Sequence, residues 1–272
     1  MLSYPVMYKK EIEEIVNEFV SFKSNMGLKL SIKKAQYIWG KSITKRISDT
    51  TLMELEKGTK VGNSKIIKEK IDIVKKNLNI LLVFNWVRFV GISGSVAAGF
   101  AKEDDDIDIF IVVKDGCAWI YRGILTIRNI FNHVIRTKRD KEDVRDLLCI
   151  NFIIEESGLE LESDIFNFHE LMYLIPIYNE RYINHIYEKN LWLLTKYQIN
   201  KELLQSRERK KEGVNFVIKV INFLAYISQI AFMLISGHTP EIKRLFRNYK
   251  RGRIEFFPSD YKEKVLRKLI SV

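Results

Sequence analysis

Two aspartates, Asp106 and Asp108, are the residues whose types and spacing point most directly to chemistry in this 272-residue chain. They stand one residue apart where an apolar run, residues 109–113, predicts a β-strand. Strand side chains alternate between the two faces of a sheet, so both carboxylates project from the same face. The alternative is a solvated acidic turn, since Asp104 and Asp105 precede the pair. Isoleucines on both sides of Asp108 favour a metal, because a carboxylate in a buried strand is costly unless it is paired.

A Gly-Ser pair precedes these aspartates at the end of another predicted strand, which begins near Val87. Gly94 lets backbone amides approach an anion closely, Ser95 adds a hydroxyl, and a helix starting near residue 96 would add partial positive charge. We therefore expect Gly94 and Ser95 to bind phosphates, and Asp106 with Asp108 to hold Mg2+, a cation that binds few carboxylates and completes its shell with water and substrate phosphate. Lys102, between the motifs, is either a further phosphate contact or a solvated lysine.

The order of these motifs resembles the signature of the DNA polymerase β superfamily of nucleotidyltransferases. That signature is a strand ending in Gly-Ser, a spacer like residues 96–105 here, and a strand that opens with Asp-hydrophobic-Asp. The likeness extends toward an uncharacterised prokaryotic branch of these nucleotidyltransferases, which has four later motifs in the same order. The corresponding segments are a strand with Cys149-Ile150-Asn151, a helix start with Phe168-His169-Glu170, a turn with Pro176-Ile177-Tyr178 and the C-terminal Phe256-Phe257-Pro258-Ser259-Asp260-Tyr261.

This resemblance implies an enzyme that uses Mg2+ or Mn2+ to transfer a nucleoside monophosphate from a nucleoside triphosphate to an acceptor, with release of pyrophosphate. It implies an α+β fold with a small mixed β-sheet nucleotidyltransferase core between helical N-terminal and C-terminal regions. We expect a basic helical region over residues 1–80, the core over 81–165 and a helical domain over 166–272. The acceptor is a nucleic acid, a protein or a small molecule.

One departure from the family pattern concerns the third carboxylate, which members usually supply from the strand beside the Asp-x-Asp strand. The apolar run 147–154 predicts that strand, and it contains no acid. Asn151 is the candidate for the place, with Asp146 and Glu155 as fallback candidates. An asparagine carbonyl can ligate a metal but cannot accept a proton. The alternatives are that Asn151 is a hydrogen-bonded core amide and that the chain is a catalytically silent nucleotide- or nucleic-acid-binding module.

The net charge of +11 is unevenly distributed along the chain. Residues 81–180 carry a net −7, whereas residues 1–80 carry +7 and residues 181–272 carry +11. An acidic centre suits a metal site, and the basic flanks favour a triphosphate or a nucleic-acid acceptor. Solvated helix faces are the alternative explanation. The same alternatives apply to the stretch 243–253, where six basic residues are interleaved with Phe246 and Tyr249.

Two features bear on the compartment. The only cysteines, Cys117 and Cys149, do not suggest a disulfide framework, and the N-terminus does not resemble a signal peptide, so we expect a cytoplasmic protein. Residues 214–236 are long enough to span a bilayer, but Lys219 and several amides interrupt the apolar run. We therefore predict a buried helix of a soluble helical domain and no membrane contact.

Apolar periodicity predicts most of the remaining elements as helices. We expect residues 42–65, which are rich in lysine, to be an exposed surface segment. His169, one of four histidines, has no partners at zinc-ligand spacing, so it is either structural or adjacent to the substrate. The predicted helices cover 7–23, a segment from Ser31 onward, 64–82, 117–135, a segment capped by Ser163 or Asp164, 182–203, 214–236 and a segment capped by Thr239.

Overall fold

The computed structural model describes residues 9–56, 63–137, 140, 143–205, 215–235 and 241–255. Helices lie on both faces of one mixed β-sheet, so the α+β class expected from the sequence is confirmed. The expected cap at Thr239 and the family-like segment from Phe256 to Tyr261 lie outside the described residues.

Five strands form the sheet in the order β4-β1-β2-β3-β5. Strands β2 and β3 are parallel, and every other neighbouring pair is antiparallel. The predicted position of the third strand beside the second is confirmed, and the two motif strands β1 and β2 pair with each other. The strands are β1 Val87–Ile92, β2 Ile107–Val113, β3 Leu148–Glu155, β4 Ile175–Tyr178 and β5 Arg253–Glu255.

Strand β4 corrects an expectation, because Pro176-Ile177-Tyr178 is the counterpart of a family segment that forms a turn. Here these residues pair with β1 at one edge of the sheet. Proline has no N–H to donate, and an edge strand tolerates this because one side of its backbone needs no ladder partner.

Twelve α-helices surround the sheet in the described part of the chain. Three begin at side-chain caps: the Ser31 hydroxyl accepts the Lys34 N–H at 3.2 Å, the Asn63 side-chain oxygen accepts the Lys65 N–H at 3.1 Å, and the Asp164 carboxylate accepts the Asn167 N–H at 2.9 Å. The helices are α1 Lys9–Asn25, α2 Ile32–Trp39, α3 Asp49–Glu56, α4 Ser64–Lys76, α5 Leu78–Leu81, α6 Gly94–Ala98, α7 Ala118–Asn132, α8 Ile165–Tyr173, α9 Tyr182–Lys189, α10 Trp192–Thr195, α11 Phe216–Ile235 and α12 Ile242–Lys250.

The continuous helix predicted over residues 182–203 is broken at Asn190. The Asn190 amide is fully buried, accepts the Leu161 N–H at 2.7 Å and donates to the Leu159 carbonyl at 2.8 Å. An asparagine that bonds to a neighbouring segment competes with helix continuation. The chain therefore turns between α9 and α10 at this residue.

Two hydrophobic clusters cover the two faces of the sheet. One contains Phe110 and Val112 of β2 together with apolar residues of α1, α2, α8 and α9. The other contains Ile109 and Ile111 of β2 with residues of α4, α7 and α11. The first cluster joins the N-terminal helices to the C-terminal ones, as where the Phe19 and Phe168 rings lie 4.8 Å apart. The division of the chain at residues 80 and 165 stays a prediction.

Helix α11 is much less buried than the sequence suggests. We expected a core helix, yet only Asn222 and Tyr226 are buried, and apolar residues such as Phe232 are exposed. It is the one helix of the described chain that is long and apolar enough to cross a membrane by length and composition. The lysine-rich segment 42–65 departs in the opposite direction, because Ile43 and Leu55 are fully buried.

Candidate functional site

The two aspartates lie at the start of β2, where strand alternation separates them from the apolar side chains. Asp106 immediately precedes β2 and Asp108 is its second residue. The intervening Ile107 and the following Ile109 point into the cluster beneath α4 and α7. The two carboxylates therefore face the other side of the sheet, which α1 and α8 cover.

A third potential ligand reaches the aspartates from the neighbouring strand. Cys149 of β3 is the register partner of Asp108, so the two side chains share one face of the sheet. One ligand atom each from Asp106, Asp108 and Cys149 lies within 4.8 Å of the others. This cluster is a possible metal-binding site.

Gly94 brings the turn after β1 directly against Asp108. A Cβ atom at Gly94 would lie 2.1 Å from Oδ2 of Asp108, and Gly94 has a φ of +62°, so both space and backbone conformation require glycine. The Ser93 N–H also donates to the Asp108 carbonyl at 2.9 Å. The Gly-Ser turn and the carboxylate pair are thus parts of one site.

Ser95 is tied to the acidic loop through Asp105 rather than through the two predicted ligands. Its hydroxyl donates to Oδ2 of Asp105 at 3.2 Å, and the backbone N–H of Lys102 donates to the same oxygen at 2.9 Å. Asp105 therefore sets the position of Ser95 relative to Asp106. The Lys102 side chain is exposed and makes no hydrogen bond or ion pair with the described residues.

Strand β3 contains an irregularity at Asn151. Asp108 pairs with Cys149 and Phe110 pairs with Phe152, so Ile109 faces two residues of β3. Such a bulge shifts the register by one residue, which simple alternation does not anticipate. The side chain of Asn151 lies outside the described part of the chain, so its role as a ligand stays a prediction.

The two fallback acids have structural partners elsewhere. Asp146 pairs with the buried ammonium of Lys70 at 2.9 Å, and Lys70 also donates to the Asp105 carbonyl. Glu155 lies at the far end of β3, where its carboxylate accepts the Ala118 N–H at the start of α7 at 3.0 Å. Neither acid belongs to the cluster around Asp108.

Glu170 of α8 is the acid that sequence reasoning missed. One of its carboxylate oxygens, Oε2, lies 3.5 Å from the Gly94 N–H donor, and its charge acts on Asp108. The other oxygen, Oε1, lies 3.3 Å from Nδ1 of His169. The only signal in the sequence was the family-like segment Phe168-His169-Glu170. That segment gives no information about which residues the glutamate contacts.

The electrostatics of this site are those of a cluster with excess negative charge. Burial, together with the charges of Asp106 and Glu170, raises the pKa of Asp108 to about 7, against the opposing effects of Cys149 and Arg136. The guanidinium of Arg136 pairs with the Asp106 carboxylate and lies 3.9 Å from the Cys149 sulfur. One cation faces three carboxylates, so the site favours a further cation.

The donor set suits a hard divalent cation. Burial and the neighbouring carboxylates raise the pKa of Cys149, so in the metal-free protein its sulfur is a protonated thiol, which is a poor ligand. The oxygens of Asp106 and Asp108 are then the available donors, and Mg2+ and Mn2+ both prefer oxygen.

We compared the chain with known protein families, curated proteins and solved structures. None of the three comparisons gives a match. The relationship to the DNA polymerase β superfamily therefore rests on the motifs themselves and stays a prediction.

Proposed function

We propose that this protein is a Mg2+-dependent nucleotidyltransferase that transfers a nucleoside monophosphate from a nucleoside triphosphate to an acceptor and releases pyrophosphate. The observation that carries the proposal is the contact between Gly94 and Asp108, which joins the expected phosphate cradle to the expected metal ligands. A phosphate held at this turn would lie beside both carboxylates.

Asp106 and Asp108 would hold Mg2+, or Mn2+ in its place. A divalent cation at these carboxylates would supply neutralisation of the charge on the transferring phosphoryl group. Arg136 holds the Asp106 carboxylate from the open side, and Gly94 packs against Asp108. Both contacts limit the positions that the carboxylates can take, which favours catalysis by positioning.

Gly94 and Ser95 would bind phosphate oxygens through backbone N–H groups and the Ser95 hydroxyl. The Gly94 N–H now faces the Glu170 carboxylate, so a phosphate oxygen would replace one negatively charged acceptor with another. Glu170 is then placed to take the proton of the attacking hydroxyl or amine. The acceptor atom forms a bond to the α-phosphorus, the bond from that phosphorus to the bridging oxygen breaks, and pyrophosphate leaves with its electron pair.

The proposal includes a partner and a compartment. The basic flanks suit a nucleic-acid acceptor. Helix α12 is one basic element of these flanks, with Arg244 and Arg247 on successive turns. Both cysteines are free and buried, which agrees with a reducing cytoplasm.

Replacing both metal ligands tests this function. The double variant Asp106→Ala/Asp108→Ala should lower Mg2+-dependent pyrophosphate release by roughly 10³-fold or more, because the charge stabilisation of the transition state is lost. The assay combines each nucleoside triphosphate with RNA, tRNA, DNA and protein acceptors. Asp104 lies in the same loop and is exposed, so Asp104→Ala is the matched control and should retain full turnover. Undiminished release by the double variant would disprove the proposal.

A catalytically silent binding module is the second candidate, and one observation favours it. The residue opposite Asp108 on the neighbouring strand is Cys149, and a protonated thiol cannot replace a carboxylate ligand. Calorimetry with each nucleoside triphosphate separates the candidates. Binding that depends on Asp106 and Asp108 but gives no pyrophosphate with any acceptor would support the silent module.

A further inference from the structure

A second polar cluster lies next to Glu170, on the side of its carboxylate that faces His169. Lys23 from the end of α1 and Lys34 from α2 direct their ammonium groups at the ring of Tyr173 on α8, at 3.9 Å and 4.6 Å from its centroid. The imidazole of His169 stacks on the same ring, with centroids 4.8 Å apart. The packing of α1 and α2 on α8, which is distant from them in sequence, therefore brings two lysines to the neighbourhood of the candidate active site.

The two lysines have no anionic partner at ion-pair distance among the described residues. Lys23 is 1% exposed, and its ammonium contacts an aromatic face instead of a carboxylate or a carbonyl. Lys34 is in the same situation, with the rings of Tyr37 and Tyr173 beneath it. A cation–π contact recovers only part of the hydration that a buried ammonium loses.

The energetic consequence is visible in the acid–base behaviour of both lysines. Burial, followed by the repulsion of Lys34, lowers the pKa of Lys23 to about 7, and the charge of Glu170 offsets this only in part. Burial lowers the pKa of Lys34 to about 8. The groups that face these ammonium ions are Glu170, His169 and Tyr173 on α8 and Tyr37 on α2. The two ammonium groups thus share one nearby carboxylate, that of Glu170, and a second anion is needed to balance their charge.

His169 adds an unsatisfied polar atom to the same place. Its Nδ1 lies 3.3 Å from the Glu170 carboxylate, whereas its Nε2 is buried and has no hydrogen-bond partner. Buried polar atoms are nearly always paired, so an orphaned atom beside two unpaired lysines points to a group that is bound here during function.

We infer that Lys23 and Lys34 bind an anionic group of the phosphate class that is carried by the acceptor of the transfer reaction. The assignment of the anion to the acceptor rests on the proposed function. The anion site itself can be tested without turnover. Glu170 would then lie between the bound anion and the phosphate cradle. Its carboxylate would meet a hydroxyl or amine that stands a short distance from the anionic group of the acceptor.

The position of Glu170 also argues against the alternative source of the anion, the terminal phosphates of the triphosphate. A triphosphate anchored at Gly94 would have to pass the Glu170 carboxylate to reach Lys23, and two like charges repel each other strongly where water is scarce. A separate molecule can approach from the side of Tyr37, which is 42% exposed, and of the partly buried Lys34.

Calorimetric titration with inorganic sulfate at pH 8 in the presence of EDTA tests the site, because sulfate resembles phosphate and does not itself titrate there. We expect wild-type protein to bind sulfate and to take up protons, seen as a binding enthalpy that changes between Tris and HEPES buffers. Lys23→Met and Lys34→Met should each lower the affinity at least tenfold and reduce the proton uptake. Lys33 lies on the exposed face of α2, next to Lys34, so Lys33→Met should change neither the sulfate affinity nor the proton uptake.

Two further arms separate this inference from the proposed function. Asp108→Asn should bind sulfate as wild type does, which makes the anion site independent of catalysis. Saturating Mg2+ and ATP should leave sulfate binding intact, whereas mutual exclusion would assign the lysines to the triphosphate and overturn the acceptor site. Equal sulfate binding by the Lys23, Lys34 and Lys33 variants would show that the lysines only clamp α1 and α2 to Tyr173.

Discussion

At the scale of single residues, Gly94 carries the strictest geometric requirement of the site. Gly94→Ala adds a Cβ atom 2.1 Å from the Asp108 carboxylate at a φ of +62°, so we expect lower stability by roughly 2 kcal/mol or more and at least tenfold weaker Mg2+ binding. Gly99 also has positive φ, +84°, but a Cβ atom there meets nothing within 4 Å. Gly99→Ala should therefore show only the backbone strain, about 1 kcal/mol. Thermal unfolding and calorimetric metal titration measure both effects.

Asp108 should make the metal-free protein less stable as the pH rises. Its pKa is raised from 3.8 to about 7, so the folded state binds more protons than the unfolded state between these values. Stability is then lost from about pH 4 to pH 7, and the full penalty persists above pH 7. Asp108→Asn removes that charge and should stabilise the protein by roughly 1–3 kcal/mol at pH 8 in EDTA.

The same variant should approach the stability of wild type near pH 3, where Asp108 is protonated in the folded state and mostly protonated in the unfolded state. Added Mg2+ should stabilise wild type and leave Asp108→Asn unchanged, as chemical unfolding at each pH would show. A wild-type protein that is as stable as the variant at pH 8 without metal would contradict the buried, charged environment of Asp108.

The sequence was sufficient for the parts of the site that lie close together along the chain. Gly94, Ser95, Asp106 and Asp108 belong to one strand-turn-strand unit, and local alternation predicts their common face. Glu170 lies more than sixty residues later, and its approach to Gly94 depends on how α8 packs on the sheet. No local pattern contains that information.

At the scale of secondary-structure elements, the start of α7 depends on side chains from β3 and α11. Glu155 of β3 accepts the Ala118 N–H, as described above. The Asn222 carbonyl oxygen of α11 accepts the N–H groups of Trp119 and Ile120 at 2.9 Å and 3.2 Å, and Asn222 is 4% exposed. Asn222→Ala leaves these N–H groups buried without an acceptor, so it should cost about 1–3 kcal/mol. Denaturant unfolding tests this value, with Ser228→Ala, an exposed site on the same helix, as a near-neutral control.

The elements also show where prediction from sequence ends. Amphipathic periodicity predicted α1 and α7 within a few residues, because their apolar stripes face the sheet, but the single helix predicted over residues 64–82 is divided into α4 and α5 at Asn77. It missed strands β4 and β5, since edge strands of three or four residues have too few positions for a pattern. It also predicted burial of α11 from apolar composition, although composition does not specify which surface covers a helix.

At the scale of the whole molecule, charge and packing are organised around the two faces of the sheet. The face with α1, α2 and α8 contains the carboxylates and the lysine pair, and the opposite face contains the apolar contacts of α4, α7 and α11. The net positive charge of the flanks could be counted from the sequence. The sequence could not show that Lys23 and Lys34 bring positive charge close to the acidic centre. That placement depends on the packing of α1 against α8, which are far apart along the chain.

The shared cluster on that face makes a prediction about cooperativity. Phe19 of α1 is fully buried against Trp39 and Phe168, so Phe19→Ala should lower stability by about 3–5 kcal/mol through the cavity it leaves. Because the cluster continues onto Phe110 of β2, the substitution should destabilise α1, α8 and β2 together. Hydrogen exchange measured by mass spectrometry should then quicken in all three elements, whereas Met53→Ala, at a side chain 57% exposed, should leave exchange unchanged. Faster exchange confined to α1 would instead mean that residues 1–80 unfold as a separate domain, and that α1 can leave the candidate acceptor site without disturbing the metal ligands.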